Sequence, residues 1–165
     1  FKCEPTGRGN DAIRQEIIGD LAAEALFGES SELYLRLYEQ GLINTSFGGA
    51  FEMMPNTAYL YAGGDSKDSR RVMDEIIRES ARLVKEGIDE DFYQRVRRAA
   101  FGSNLRGLNS FENTAVSLTE GYFQGYDPFS FPQIFDSITK QDVVAFLRDN
   151  ITAERCVYSE ILPKE

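Results

Sequence analysis

The sequence predicts an α+β fold: a two-layer sandwich in which a mixed or antiparallel sheet carries helices packed on one face. Three observations lead there. Apolar residues recur at helical spacing over several long runs, and short runs rich in β-formers are bounded by Gly, Pro and Asn. The order is strand, helix, helix, strand, strand, three or four helices, strand, so long helical stretches are segregated from a few strands. The chain has 165 residues with 12 Phe and 8 Tyr, which fits one domain with a substantial core and argues against disorder.

Residues 1–5 read as a short strand, followed by a flexible turn over 6–10. Ile13, Ile17, Leu21 and Ala25 then recur at helical spacing, with Asn10 or Asp11 as the expected cap and Gly28 as the stop. A second helix is predicted over 31–40, where Leu33 with Leu37 and Tyr34 with Tyr38 form rows four apart. Leu42 to Met54 reads as a strand with a flexible middle at Gly48-Gly49, Met54 to Thr57 as a turn, and Ala58 to Ala62 as its hairpin partner. Gly63 to Ser66 closes the hairpin and caps a helix over 67–86, whose stripe is Met73, Ile76, Ile77, Ser80, Leu83 and Val84. Asp89 caps a helix reaching toward Gly107, and Ser110 to Tyr122 is helical again. Phe129 to Pro132 reads as a loop, Thr139 with Asp142 caps a final helix through Arg148, and Cys156 to Leu162 reads as a terminal strand.

Composition excludes several functions. With 18 Lys+Arg against 27 Asp+Glu the net charge is -9, contrary to what nucleic-acid binding by counterion release requires. There is no His, so no imidazole base and no His-bearing zinc site. Two Cys are too few for an all-thiolate site and too far apart for a redox motif; they read as small buried hydrophobes in a reducing compartment, with a bridge open only if the terminal strands are neighbours. No apolar run reaches membrane-span length. No membrane or nucleic-acid partner is expected, and the expected location is cytoplasmic.

The short motifs are weak. Gly7-Arg8-Gly9-Asn10-Asp11-Ala12 has the letters of a dinucleotide-binding turn, but its strand carries Lys2, Glu4 and Pro5, and a second helix follows in place of a strand. It reads as a turn and cap. Asp89-Glu90-Asp91 reads as the acidic first turn of a helix rather than as a calcium loop. Arg95, Arg97, Arg98 and Arg106 form the one basic concentration; a solvated helix face is the plain reading, and a patch lining a cavity for a carboxylate is the functional one. No nucleophile elbow and no Ser-x-x-Lys occurs, so no catalytic residue is assigned and no metal ligand is expected.

One ordered set of segments is more specific. Ser30-Ser31-Glu32-Leu33-Tyr34-Leu35-Arg36-Leu37-Tyr38-Glu39-Gln40-Gly41-Leu42-Ile43 resembles the small-small-x-Leu-aromatic-x-x-Leu-x-x-x-Gly-Leu segment of the insulinase/pitrilysin zinc metallopeptidases, which include the mitochondrial processing peptidases. Gly41 to Phe47, Tyr59-Leu60-Tyr61-Ala62-Gly63, Leu83 to Phe92, and Gly102 with Leu105 to Ser110 continue the resemblance in order. It is close to a bacterial branch of that family and spans essentially the whole chain.

The resemblance implies a ferredoxin-type metallopeptidase-like domain. The active domain of that family carries an inverted His-x-x-Glu-His zinc motif; with no His, this chain is expected to be the C-terminal, non-catalytic domain. Because it begins on Phe1 inside a strand and not on Met, residues 1–165 are expected to form a single domain excised from a longer chain. Zinc is expected in a companion catalytic N-terminal half or partner subunit, and a peptide as substrate. Many members carry an Arg and, seven residues later, a Tyr around the Gly-Leu step that contact the peptide; aligned on Gly41-Leu42 those positions fall on Leu37 and Asn44, with Arg36 one residue away. The substrate-binding candidates are therefore Arg36 and Asn44. Their plain alternatives are an exposed helical Arg beside Glu32 and Glu39, and a strand-end residue. A scaffold or assembly domain without protease activity is the alternative function, and an enzyme working through paired carboxylates is a third.

Overall fold

In the computed structural model, residues 1–54 and 56–162 are described. Strand β1 is Lys2–Cys3, β2 is Gly48–Met54 and β3 is Thr57–Gly63. Helix α1 is Asn10–Phe27, α2 Glu32–Glu39, α3 Ser69–Glu86, α4 Glu90–Gly107, α5 Phe111–Gln124, α6 Phe131–Asp136 and α7 Lys140–Asn150. The fold is α+β with a small antiparallel sheet in the order β1-β3-β2.

Helix α1 is the spine of the core. Ile13, Ile17, Leu21, Ala22, Leu26 and Phe27 are all buried, and α1 packs against β2, α7, α4 and α6. Small residues permit its close approach to the sheet. A Cβ on Gly19 would run into the ring of Phe51, and one on Gly49 would stand 2.5 Å from Cδ2 of Phe27. The inward sheet face is Phe51 and Leu60, directly paired across the strands, with Ala58 opposite Met53 and Ala62 opposite Gly49. The outward face carries Glu52 opposite Tyr59 and Ala50 opposite Tyr61. This alternation follows from the two-residue period of a strand.

Caps set most helix boundaries. Ser31, Asp68, Asp89, Ser110 and Thr139 each accept a hydrogen bond from an N–H of the following first turn, which satisfies donors that have no helical partner. Thr139 and Asp142 form the full reciprocal box. Helix α1 departs from expectation: its cap is Gly9, with no side-chain bond from Asn10 or Asp11. The cap of α3 is Asp68, beyond the Gly63 to Ser66 turn.

Three expected elements differ. The strand predicted from Leu42 begins only at Gly48, because the Asn44 side chain accepts from Ser46 N–H at 2.8 Å and Phe47 N–H turns back to Asn44 O at 3.1 Å. Such local side-chain bonding competes with a ladder. Residues 129–132, expected as a loop, hold a 3-10 turn over Pro128–Ser130 and the start of α6; Pro132 sits in a first turn, where a missing N–H is harmless. Residues 156–162, expected as a strand, form no strand. Arg155 Nη1 donates to Lys2 O at 3.2 Å on the outer side of β1, and the segment is held instead by Tyr158 hydroxyl and Ser69 Oγ at 2.6 Å. The turn expected at Pro55 lies partly outside the described residues. Helix α4 runs unbroken through Gly102. Cys3 is buried, Cys156 is half-buried, and both are free thiols. Among the described residues no helix is long and apolar enough to cross a membrane.

Candidate functional site

Strand β2 lies at the edge of the sheet. In an antiparallel strand alternate residues turn their N–H and C=O to opposite sides, so half of the backbone groups of β2 face away from β3. A cleft of about 620 Å³ opens beside it, walled by Gly49 and Ala50 of β2, by Asp20 and Glu24 of α1, by Ser103, Asn104 and Arg106 of α4, and by Phe131 and Phe135 of α6. The floor is apolar and small: Ile17, Ala23, Ala99 and Ala100.

Asp20 is the chemically distinctive group here. Its surroundings on the protein side, then Glu16 and Glu52, push its carboxyl up from 3.8 to about 7. Partial desolvation by the surrounding protein, then Glu120 and Glu52, likewise raises Glu16. Both residues are exposed, and of the two Asp20 lines the cleft, with Glu24, so this is an open acidic wall and not a sealed acid–base pair. Asp20 and Glu24 are one helical turn apart on the same face, and no buried pair of carboxylates converges in the cleft.

Of the four arginines singled out in the sequence, Arg106 reaches the cleft. Arg97 is structural: Nη2 donates to Phe135 O at 3.1 Å and its guanidinium lies 5.0 Å over the Phe135 ring. Arg95 lies over Phe92 and lines a second hollow with Glu32 and Glu86. Arg98 is exposed.

The substrate-binding candidates stand elsewhere and have separate partners. Arg36 Nη2 lies 3.3 Å from Glu75 and 3.1 Å from Glu79. Glu79 is buried and is also held by Arg82, whose other contacts are Glu32 and Glu86. Burial opposes its ionisation, but the hydrogen bonds from Arg82 and Arg36 outweigh it and hold the carboxyl below its ordinary value. Asn44 Nδ2 donates to Asp65 at 3.2 Å, and Ser46 Oγ accepts from Asp65 N–H at 2.9 Å. This latch ties the 44–46 turn to the start of the α3 approach.

The residues present do not fit a zinc site. The sequence has no His, and among the described residues no three His, Cys, Asp or Glu side chains converge as ligands.

The described residues thus form an open-edged antiparallel sheet backed by helices, with a cleft beside its free edge. Residues 5–100 match the model of the peptidase M16 inactive domain, and the chain belongs to that family. It is 29% identical over 162 residues to a Bacillus subtilis protein named "Uncharacterized zinc protease YmfH", covering 97% of this chain and 37% of that one. Among solved structures, an M16-like peptidase from Alicyclobacillus acidocaldarius superimposes with a TM-score of 0.81 at 22% identity, over 90% of this chain and 36% of that one. A protein described as a zinc protease from Bordetella pertussis gives 0.73 at 18% identity, over 94% of this chain and 87% of that one. The chain thus spans just over a third of the length of the curated relative.

Proposed function

We propose that this chain is the substrate-enclosing, non-catalytic domain of a zinc metalloendopeptidase that hydrolyses peptides. Zinc and the attacking water belong to a companion half, in the same polypeptide or in a partner subunit. The carrying observation is the cleft at the free edge of β2. An extended peptide satisfies its own backbone groups by adding to such an edge, while the cleft receives its side chains. A flat apolar face without a cleft would suit a scaffold better than a sheet edge with this concave, polar-rimmed cleft beside it.

In this reading Arg36 and Asn44 reach a peptide only by giving up Glu79 and Asp65, so the β2 cleft is the stronger holding site. The two free thiols fit a cytoplasmic location.

The test fills the cleft. Ser103→Trp in the full-length peptidase places an indole between α4 and β2. Peptide hydrolysis then shows a KM raised about tenfold with kcat little changed, the signature of lost uniform binding. Unchanged KM in a folded S103W protein would contradict the reading.

A further inference from the structure

Helix α5 turns the wrong side of an amphipathic helix toward its own domain. Gly121 is buried and Thr114, Ser117 and Gln124 are half-buried, whereas Phe111, Tyr122 and Phe123 are 95%, 82% and 73% exposed. Helical spacing aligns Phe111, Ala115, Leu118 and Tyr122 in one outward stripe, with Val116 and Phe123 beside it. The orientation is fixed by close contact. A Cβ on Gly121 would come within 2.7 Å of Tyr126 O and 2.8 Å of Pro128 Cδ, and Gly9 N–H donates to Gln124 O at 3.2 Å. Rotating the helix to bury its stripe would drive side chains into that turn.

An uncharged stripe of this kind is uncommon on a free monomer surface and has the composition of an interface core. The charges on α5 are Glu112 and Glu120, and it has no Lys or Arg, unlike a helix made for an anionic lipid surface. The matched segment occupies 37% of the Bacillus protein and 36% of the Alicyclobacillus one, so most of each lies outside it.

We propose that α5 is the docking helix for the companion domain, with Phe111, Ala115, Leu118 and Tyr122 buried between the two. This rests on the companion domain of the proposed function.

The test is site-resolved maleimide labelling of the full-length protein, with Ala115→Cys on the stripe and Ala81→Cys as an exposed control on α3. The inference predicts that A115C reacts about tenfold slower than A81C, because labelling must await an opening of the interface. Adding Leu118→Glu restores the control rate, and since the stripe makes no core contact, circular dichroism stays unchanged. Equal rates in the unmodified stripe overturn the inference. So does protection that disappears on dilution, which marks a second copy, or protection seen only with anionic vesicles. Zinc content and peptide hydrolysis on the same sample separate the two readings. An active zinc protein with freely labelled A115C sinks the docking helix alone. A protected A115C in a protein that binds no zinc sinks the peptidase reading alone.

Discussion

The guanidinium of Arg36 lies 3.1 Å from the carboxylate of Glu79, a residue 3% exposed. This pair joins α2 to α3, and Arg82 completes it from the next turn of α3. A buried carboxylate needs such partners, since it cannot keep its hydration. Arg36→Met is expected to lower stability by about 1–2 kcal/mol, a charged hydrogen bond weakened by solvent because the Arg36 side chain is 36% exposed, with Arg82 still in place. Arg82→Met should lower it more, because Arg82 donates twice to Glu79. Urea unfolding of the two variants checks the order.

The same network sets an acid limit. Glu79 titrates near 4.5 when unfolded and below that when folded. Its contribution is therefore complete above the unfolded value and is lost as pH falls through the folded one. Removing both Arg36 and Arg82 should flatten the acid limb of a stability–pH curve in that window.

Asp20 predicts the opposite sign. Its folded value of about 7 lies above the ordinary 3.8, so the fold favours the protonated form. The penalty is absent below the unfolded value, grows as pH rises between the two, and is complete above the folded one. Asp20→Asn should leave the melting temperature unchanged at acidic pH and raise it at alkaline pH. A pH series of thermal melts decides this.

The contact between Gly19 and Phe51 should resist enlargement. Gly19→Ala is expected to cost about 1–3 kcal/mol by overpacking, and Phe51→Leu in the same chain should recover part of it. A double-mutant cycle with additive effects would show that the two sites do not touch in solution.

The two thiols should differ in reactivity. Burial, against smaller opposing effects, raises the Cys3 thiol above its ordinary value, and its side chain is 1% exposed. Ellman titration should modify Cys156 in the native protein and Cys3 only with unfolding.

The helices were legible because Asp89, Ser110 and Thr139 announce their starts and apolar spacing announces their faces. What escaped depended on neighbours. Pro132 reads as a breaker but sits in a first turn. Leu42 to Phe47 has strand composition, yet Asn44 folds its own backbone. Cys156 to Leu162 has β-formers, yet no ladder receives them. The cleft was hidden because Asp20, Gly49, Ser103 and Arg106 come from three elements that meet only in the folded chain. Its trace in the sequence is the small residues Ala23, Ala99 and Ala100 on two helices, which leave space beside β2 unfilled. That 110–122 is helical was legible, but which side of α5 turns outward was not, because Gly121 meets Tyr126 and Pro128 only in the folded chain.

In the proposed function the free edge of β2 holds peptide backbone. Amide hydrogen exchange, read residue by residue with and without an extended peptide, tests it most directly. Those amides of Gly48–Met54 that face away from β3 are expected to exchange more slowly when peptide is present, while the outward face of α3 is unaffected. Peptide binding that leaves every β2 amide unchanged would contradict it.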